Sequence, residues 1–324
     1  MTKPLLMNTI TLPCQLLCAS ASAYAIFPKD KSGNYNPTEK LVNGKWVPDP
    51  AKKQYVQQYQ AIGFIGNPWV VTAAEIEAAL VGKTANGIVI AFRGTLAPAL
   101  NWDSFLDWLQ DFMLPTQSNI NLPGKVHEGF LIALTLLNKG IATAVKALDP
   151  TGKLPVYVTG HSKGGGIAPI AAMYFKNVYK FPIRQTITFA GPNSGNADFA
   201  RAYNAAFPNH IRYENYLDII PLMPPDAEFV AILDRIPFIP KVIIDLMNKI
   251  GSYGYEPVGN LMYIDSKAVA KAYNKIEANV LLPLRMAEIG ATLLRGDLAA
   301  IADAHHASCG YRYMKGTCLG TVCK

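Results

Sequence analysis

Apolar positions along the chain change period several times, and each change predicts an element. GIVIAFRG (87–94) is an almost unbroken apolar run, the pattern of a strand buried on both faces. IGFIGNPWVVTA and IEAALVG before it have β-like patterns, and Lys83–Gly87 predicts a turn between IEAALVG and that run. NWDSFLDWLQDFM has apolar residues at 102, 105, 106, 108, 109, 112 and 113, the spacing of an amphipathic helix. A polar loop, PTQSNINLPG, separates it from a longer helix over VHEGFLIALTLLNKGIATAVKAL. LPVYVT then predicts a strand, IAPIAAMYF a helix to about Lys180, RQTITFAG a strand, NADFARAYNAAF a helix and HIRYENYL a strand. Strands alternating with helices imply an α/β fold, with a largely parallel sheet and helices on both faces. Everything from Leu16 onward reads as one domain with insertions, so residues 1–324 form a single unit. Residues 1–58 supply an N-terminal helix and a polar arm, the arm over 28–58 being rich in turn residues.

The joint at 154–175, LPVYVTGHSKGGGIAPIAAMYF, surrounds Ser162 with glycines at 160, 164, 165 and 166. Glycine normally weakens both strands and helices, so four of them at one joint need a reason. Gly160-His161-Ser162-Lys163-Gly164 fits G-x-S-x-G, a tight strand-to-helix turn that strains the serine backbone and lifts its hydroxyl clear of the sheet. A Cβ two residues before or after the serine would clash across such a turn. Gly165 and Gly166 would then let the helix start close to the neighbouring strand.

A serine hydroxyl needs a base to take its proton and a carboxylate to orient that base. In this architecture the acid precedes the histidine, and both follow the serine. Histidines after Ser162 are His210, His305 and His306. His210 leads into a strand and reads as structural, whereas the 305–306 pair lies near the C-terminus, where the base is delivered. Asp218 directly follows a predicted strand, with Asp226 a second choice. Arg93 reads as a structural ion-pair residue, and His127 and His161 as structural or supporting.

Composition adds less. Half of the residues are hydrophobic, 16% are charged, and mean hydropathy is +0.14. No unbroken apolar run has the length of a transmembrane segment. The net charge of +7, from 30 Lys and Arg against 23 Asp and Glu, is scattered. It suits weak attraction to anionic lipid, and it lacks the basic and aromatic interleaving of a nucleic-acid binder. Three of five cysteines, Cys309, Cys318 and Cys323, lie in the last sixteen residues and allow a tail disulfide, while no ligand spacing suggests a metal. MTKPLLMNTITLPCQLLCASASAYA ends like a signal peptide, yet Asn8, Thr9, Thr11, Pro13 and Gln15 interrupt its apolar region. Leu16–Ala25 is therefore taken as a mature helix, with a cytoplasmic or non-classically exported protein favoured over a secreted one.

IAFRGT (90–95), NW (101–102), VHEGF (126–130), VTGHSKGG (158–165) and D-x-x-P (218–221) occur in an order that resembles the class 3 lipases. That family is the fungal-lipase-like branch of the α/β-hydrolases, and the resemblance runs from about Leu16 to Tyr311. It implies an α/β-hydrolase fold with Ser162 as nucleophile and Asp218 as acid. The family's last motif has a tyrosine five residues after the histidine, which matches His306 with Tyr311. The resemblance thus favours His306, with His305 as the alternative base. It implies an oxyanion hole from Thr95 and the backbone N–H of Lys163. It further implies a lid where the helix over 101–115 begins, while the same apolar stripe reads equally as fixed core.

Compared with compact members, the chain has extra apolar sequence at 226–252, either a packed helix or a cap over the site's rim. A helical stretch is expected around AVAKAYNKIEANVLLPLRMAEIGATLL. The implied activity is ester hydrolysis on lipid or acylglycerol substrates, with no metal or organic cofactor. Neighbouring readings are a phospholipase A1, a short-chain carboxylesterase, an acyltransferase or polyester depolymerase, and an inactive scaffold that binds lipid or protein. Oligomeric state stays open.

Overall fold

A computed structural model describes residues 10–24, 26, 39–42, 45–48, 59–74, 76–95 and 102–318. Its centre is an eight-stranded sheet. In chain order its strands are β3 (Trp69–Ala73), β4 (Glu77–Thr84), β5 (Gly87–Phe92), β8 (Val156–His161), β9 (Ile183–Phe189), β11 (Ile211–Asn215), β13 (Asn260–Ile264) and β14 (Ala270–Tyr273). The spatial order is β14-β13-β11-β9-β8-β5-β4-β3. The five strands β5, β8, β9, β11 and β13 are mutually parallel, β4 and β14 pair antiparallel with the outer two of them, and β3 pairs antiparallel with β4 at the edge. Two short strands, β1 (Glu39–Val42) and β2 (Lys45–Pro48), form a separate hairpin within the expected arm. The rest of that arm lies outside the described residues.

Period-two geometry explains how one apolar strand serves two cores. Ile88, Ile90 and Phe92 of β5 face one hydrophobic cluster, with the helices Glu128–Leu148 and Lys163–Tyr174. Val89 and Ala91 face another, with the helices Leu12–Ala23 and Arg312–Thr317. β8 and β5 therefore lie at the middle of the sheet, covered on both sides, with their C-terminal ends adjacent. Glu128–Leu148 is by length and hydropathy able to cross a bilayer, contrary to the reading of apolar runs above. In this structure Phe130, Leu134, Leu137 and Ile141 along it are buried against the sheet.

Several boundaries differ from the sequence reading for local reasons. The N-terminal helix starts earlier, at Leu12, because Pro13 occupies its first turn, where a missing N–H costs nothing. The helix after Ser162 ends at Tyr174 and passes into a π-turn, Phe175–Tyr179, closed by Lys180 at φ 57°. Part of the polar loop at 115–124 pairs as β6 (Thr116–Ser118) with β7 (Lys125–His127). These strands join β10 (Gly195–Asn196) and β12 (Tyr255–Glu256) in a small second sheet. The expected helical stretch begins as strand β14, and the helix Lys275–Leu294 starts at Asn274. There the Asn274 and Glu277 side chains close a capping box. Residues 226–252 fold as two helices, Ala227–Leu233 and Lys241–Gly251. Their Phe229, Leu233, Ile244 and Met247 are buried in the same cluster as the sheet.

Cys318 is bonded to Cys14, 304 residues away, rather than to a neighbour in the tail. Cys309 is also disulfide-bonded, and Cys18 is a free, buried thiol. Among the described residues, Cys14, Cys18 and Cys318 cluster at metal-ligand distances, but the disulfide occupies two of the three sulfurs.

Candidate active site

The turn at Ser162 shows why the glycines are there. Ser162 sits at φ 58°, ψ −132°, a strained conformation for a residue with a side chain. A Cβ on Gly160 would lie 2.1 Å from the Gly164 carbonyl oxygen, so the two glycines touch across the turn. A Cβ on Gly164 would lie 2.3 Å from the Phe92 oxygen at the end of β5. On Gly165 it would meet Gly191 past the end of β9, at 2.7 Å. On Gly166 it would strike the Phe130 ring of a flanking helix, at 2.4 Å, rather than a strand. The first three absent side chains let the turn and both neighbouring strand ends close together, and the fourth admits the helix behind.

Asp218 follows β11 and is fully buried. One carboxylate oxygen receives the Nδ1–H of His305 at 2.9 Å and the Ile220 backbone N–H at 3.1 Å. The other receives the Tyr313 hydroxyl at 2.6 Å. That hydroxyl in turn accepts from the Asn215 N–H at 3.0 Å, so the tyrosine is oriented from both sides. Burial and the adjacent Asp218 charge push the Tyr313 hydroxyl far above the usual phenol range. It therefore remains a donor.

His305, not His306, is the imidazole at Asp218. His305 ends the helix Leu298–His305, and the backbone then turns extended at His306, with φ −66° and ψ 133°. Consecutive side chains on such a path point apart. The His306 ring leaves the acid and stacks on Tyr311 at 4.5 Å, while His305 turns inward beside Trp108, ring centroids 4.9 Å apart. The preference for His306 is thus corrected, and its companion Tyr311 is displaced by Tyr313. Nε2 of His305 and Oγ of Ser162 are both buried and have no hydrogen-bond partner. His161, the residue before Ser162, has its ring 4.7 Å from that of His305 and holds the His305 carbonyl with Nε2 at 2.7 Å.

The other sequence candidates fall into place around this core. Lys163 opens the helix after Ser162, where backbone N–H groups have no helical acceptor. Its side chain is drawn away to the buried Glu77 of β4 in an ion pair. Thr95 is half-buried three residues past β5, and residues 96–101 lie outside the described residues. Among the described residues Arg93 donates to the carbonyls of Ile26 and Ile76, rather than to a carboxylate. Asp226 caps the helix Ala227–Leu233 through the Phe229 N–H and takes no part. His210 bonds Thr188 at 3.0 Å, and burial lowers it to about 3. His127 caps the helix Glu128–Leu148 and bonds the Phe112 carbonyl at 3.1 Å, and burial lowers it to about 4.

Tyr24 and Tyr313 were not singled out in the sequence. Tyr24 ends the helix Leu12–Ala23 and bonds His161 Nδ1 at 2.8 Å. The only sequence hint at it was the segment ASASAYA, which resembles a cleavage site.

Trp102, Phe105, Trp108 and Phe112 of the expected lid form a chain of edge or tilted ring contacts ending on His305. Phe238, from the 226–252 segment, stacks on Trp102 at 5.4 Å.

Residues 89–228 match the family model Lipase (class 3). The chloroplastic phospholipase A(1) DAD1 of Arabidopsis thaliana is 27% identical over 200 residues, 56% of this chain and 41% of that protein. The secreted mono- and diacylglycerol lipase 1 of Fusarium solani is 31% identical over 143 residues, 43% of this chain and 39% of that one. The chain thus spans about two fifths of the length of these relatives. A solved triacylglycerol lipase superposes with a TM-score of 0.55 at 18% identity, covering 84% of this chain and 88% of that one. M37 lipase superposes at 0.54 and 19%, covering 90% and 93%. At such identities the superpositions speak for the fold, which is that of the α/β-hydrolases. Residues 89–228, carried on that fold, are the part of the chain that matches the class 3 lipase family.

Proposed function

We propose that this chain is a serine carboxylic-ester hydrolase acting on lipid esters, with Ser162 as nucleophile, His305 as base and Asp218 as the orienting acid. The observation that carries the reading is the His305–Asp218 bond of 2.9 Å, which leaves Nε2 buried and unpaired in the same interior as the unpaired Ser162 hydroxyl. Asp218 fixes the Nδ1–H tautomer, so Nε2 carries the free lone pair a base needs. Nε2 takes the Ser162 proton as Oγ bonds to the ester carbonyl carbon, and the carbonyl oxygen becomes an oxyanion. Backbone N–H of Lys163 and N–H and hydroxyl of Thr95 stabilise it, each donor contributing a few kcal/mol at most. The intermediate collapses by breaking the carbon–oxygen bond to the alcohol, which leaves with the proton from His305. Water, deprotonated by His305, then releases the acid and restores Ser162.

Ser162 has 0% exposure, so an ester reaches it only after the covering residues move. The helix Trp102–Gln110, with Trp108 against His305, is the cover in this reading, and Phe238 links it to the 226–252 segment. A cover lined by tryptophan and phenylalanine suits acyl chains better than polar esters. The net charge of +7 favours a second reading, phospholipids with anionic headgroups, within the same chemistry. The Cys14–Cys318 bond fits an oxidising compartment, against the earlier leaning to the cytoplasm.

A fluorophosphonate probe tests the reading, since it reacts only with an activated serine. The protein takes the label and Ser162→Ala takes none, with an unchanged circular dichroism spectrum. Ester hydrolysis retained by Ser162→Ala refutes the mechanism. Rates on short- and long-chain esters, below and above micelle formation, separate lipase from esterase.

A further inference from the structure

The helix Leu12–Ala23 belongs to the face of the sheet away from the helix after Ser162, yet it reaches the catalytic end of the sheet through Tyr24. The Tyr24 hydroxyl is 2.8 Å from Nδ1 of His161, and the two rings meet edge-on at 5.8 Å. Nε2 of the same imidazole is 2.7 Å from the His305 carbonyl. A carbonyl can only accept, so Nε2 carries a hydrogen. Burial and the neighbouring His305 hold His161 well below the ordinary imidazole range, so it is neutral and has one ring proton. Nδ1 is therefore an acceptor, and Tyr24 is the donor.

This linkage fixes something the acid does not. The bond from Nδ1 of His305 to Asp218 orients the ring but leaves the base free to shift with its own backbone, at the last residue of a short helix. His161 grips that backbone at the carbonyl, and His161 itself is covalently next to Ser162. Nucleophile and base are thus held together by one imidazole, whose orientation Tyr24 sets. Gly94 makes room for the phenol: a Cβ there would lie 2.1 Å from the Tyr24 hydroxyl oxygen and 2.9 Å from Ser162 Cβ.

We infer that Tyr24 is a positioning residue of the hydrolytic site, acting through His161 on the backbone of His305. The inference rests on the proposed serine hydrolysis. A displacement of about 1 Å between reacting groups can cost on the order of 100-fold in rate, so the loss of one such hydrogen bond has a kinetic readout.

The test measures Tyr24→Phe, His161→Gln and the double variant on a soluble short-chain p-nitrophenyl ester, with thermal midpoints for each. Tyr24→Phe lowers kcat about 10-fold and leaves KM unchanged. In the His161→Gln background the same substitution has a smaller effect, because its route to the base is gone and only its contact with Ser162 remains. Histidine 15N spectra of the wild type show His161 protonated at Nε2, and its Nδ1 resonance moves in Tyr24→Phe. Unchanged kcat in Tyr24→Phe overturns the inference, as do losses that multiply in the double variant or an effect confined to KM. If Tyr24→Phe does not fold, His161→Gln alone carries the test, with the same loss of kcat expected and an unchanged kcat refuting it. A wild type without esterase activity or probe labelling is a different failure: the serine hydrolase reading falls, and the positioning role with it.

Discussion

Replacing His305 and His306 one at a time by alanine separates the two neighbours. His305 makes a 2.9 Å bond to Asp218 and presents an unpaired Nε2 in the interior. In the proposed mechanism its removal takes away both the base and the partner that holds Asp218. In a serine hydrolase whose base has been deleted, kcat falls by about 10⁶, equivalent to about 8 kcal/mol of barrier at about 1.4 kcal/mol per decade. The fold should survive. Asp218 keeps the Tyr313 hydroxyl at 2.6 Å and the Ile220 N–H at 3.1 Å, so the buried carboxylate is still solvated by two donors. The stability lost is about 1.5–3 kcal/mol for one hydrogen bond to a charged group.

His306 offers a contrast within the same loop. Its contact is a stacked ring, Tyr311, at 4.5 Å and 26°. An aromatic pair of that kind contributes about 0.5–1.5 kcal/mol, and none of it bears on proton transfer. His306→Ala should keep kcat within about twofold by the small size of that term. The assay is hydrolysis of a short-chain p-nitrophenyl ester, with fluorophosphonate labelling alongside and thermal midpoints to confirm folding. Activity kept by His305→Ala and lost by His306→Ala would refute the assignment of the base.

Three further outcomes follow from other parts of the fold. His127 is fully buried and its proton affinity is lowered to about 4, whereas the unfolded chain takes up that proton near 6.5. The contribution of His127 to stability is therefore complete above about pH 6.5 and declines by about 3 kcal/mol as the pH falls to about 4. His127→Asn, which keeps a helix-capping side chain, should flatten that part of the curve in urea unfolding, and an unchanged slope contradicts the account. Removing the Cys14–Cys318 bond as Cys14→Ser with Cys318→Ser opens a loop of 304 residues and should cost about 5–6 kcal/mol in unfolding free energy by loop entropy. An unfolding midpoint equal to that of the parent speaks against a stabilising role. Hydrogen exchange over 101–115 should quicken when a lipid interface is added, and unchanged protection retires this segment as the cover.

Local chemistry made much of the fold legible in advance. Gly160 reports a turn so tight that a side chain there would collide with the Gly164 backbone, and that is a property of a five-residue stretch. The run GIVIAF reports burial on both faces, and both of its faces are indeed packed. The placing of Asp218 just after a strand followed from strand order, and the structure sets that carboxylate against His305. The sequence pattern also erred where two periods overlap: AVAKAY was taken into a helix, but it pairs with β13, and the helix begins only where Asn274 can cap it.

Taken alone, the chain's order of residues determined the alternation of strands and helices, the strained serine turn and the family resemblance, because each depends on spacing within a few residues. Tertiary structure alone decided which of His305 and His306 meets Asp218, because one step of backbone from helix to extended chain sends adjacent imidazoles in opposite directions. It alone brought Tyr24 and Tyr313 to the site and joined Cys14 to Cys318. Those contacts link residues 95 or more positions apart, and no local pattern encodes which distant side chains share a buried space once the sheet has closed.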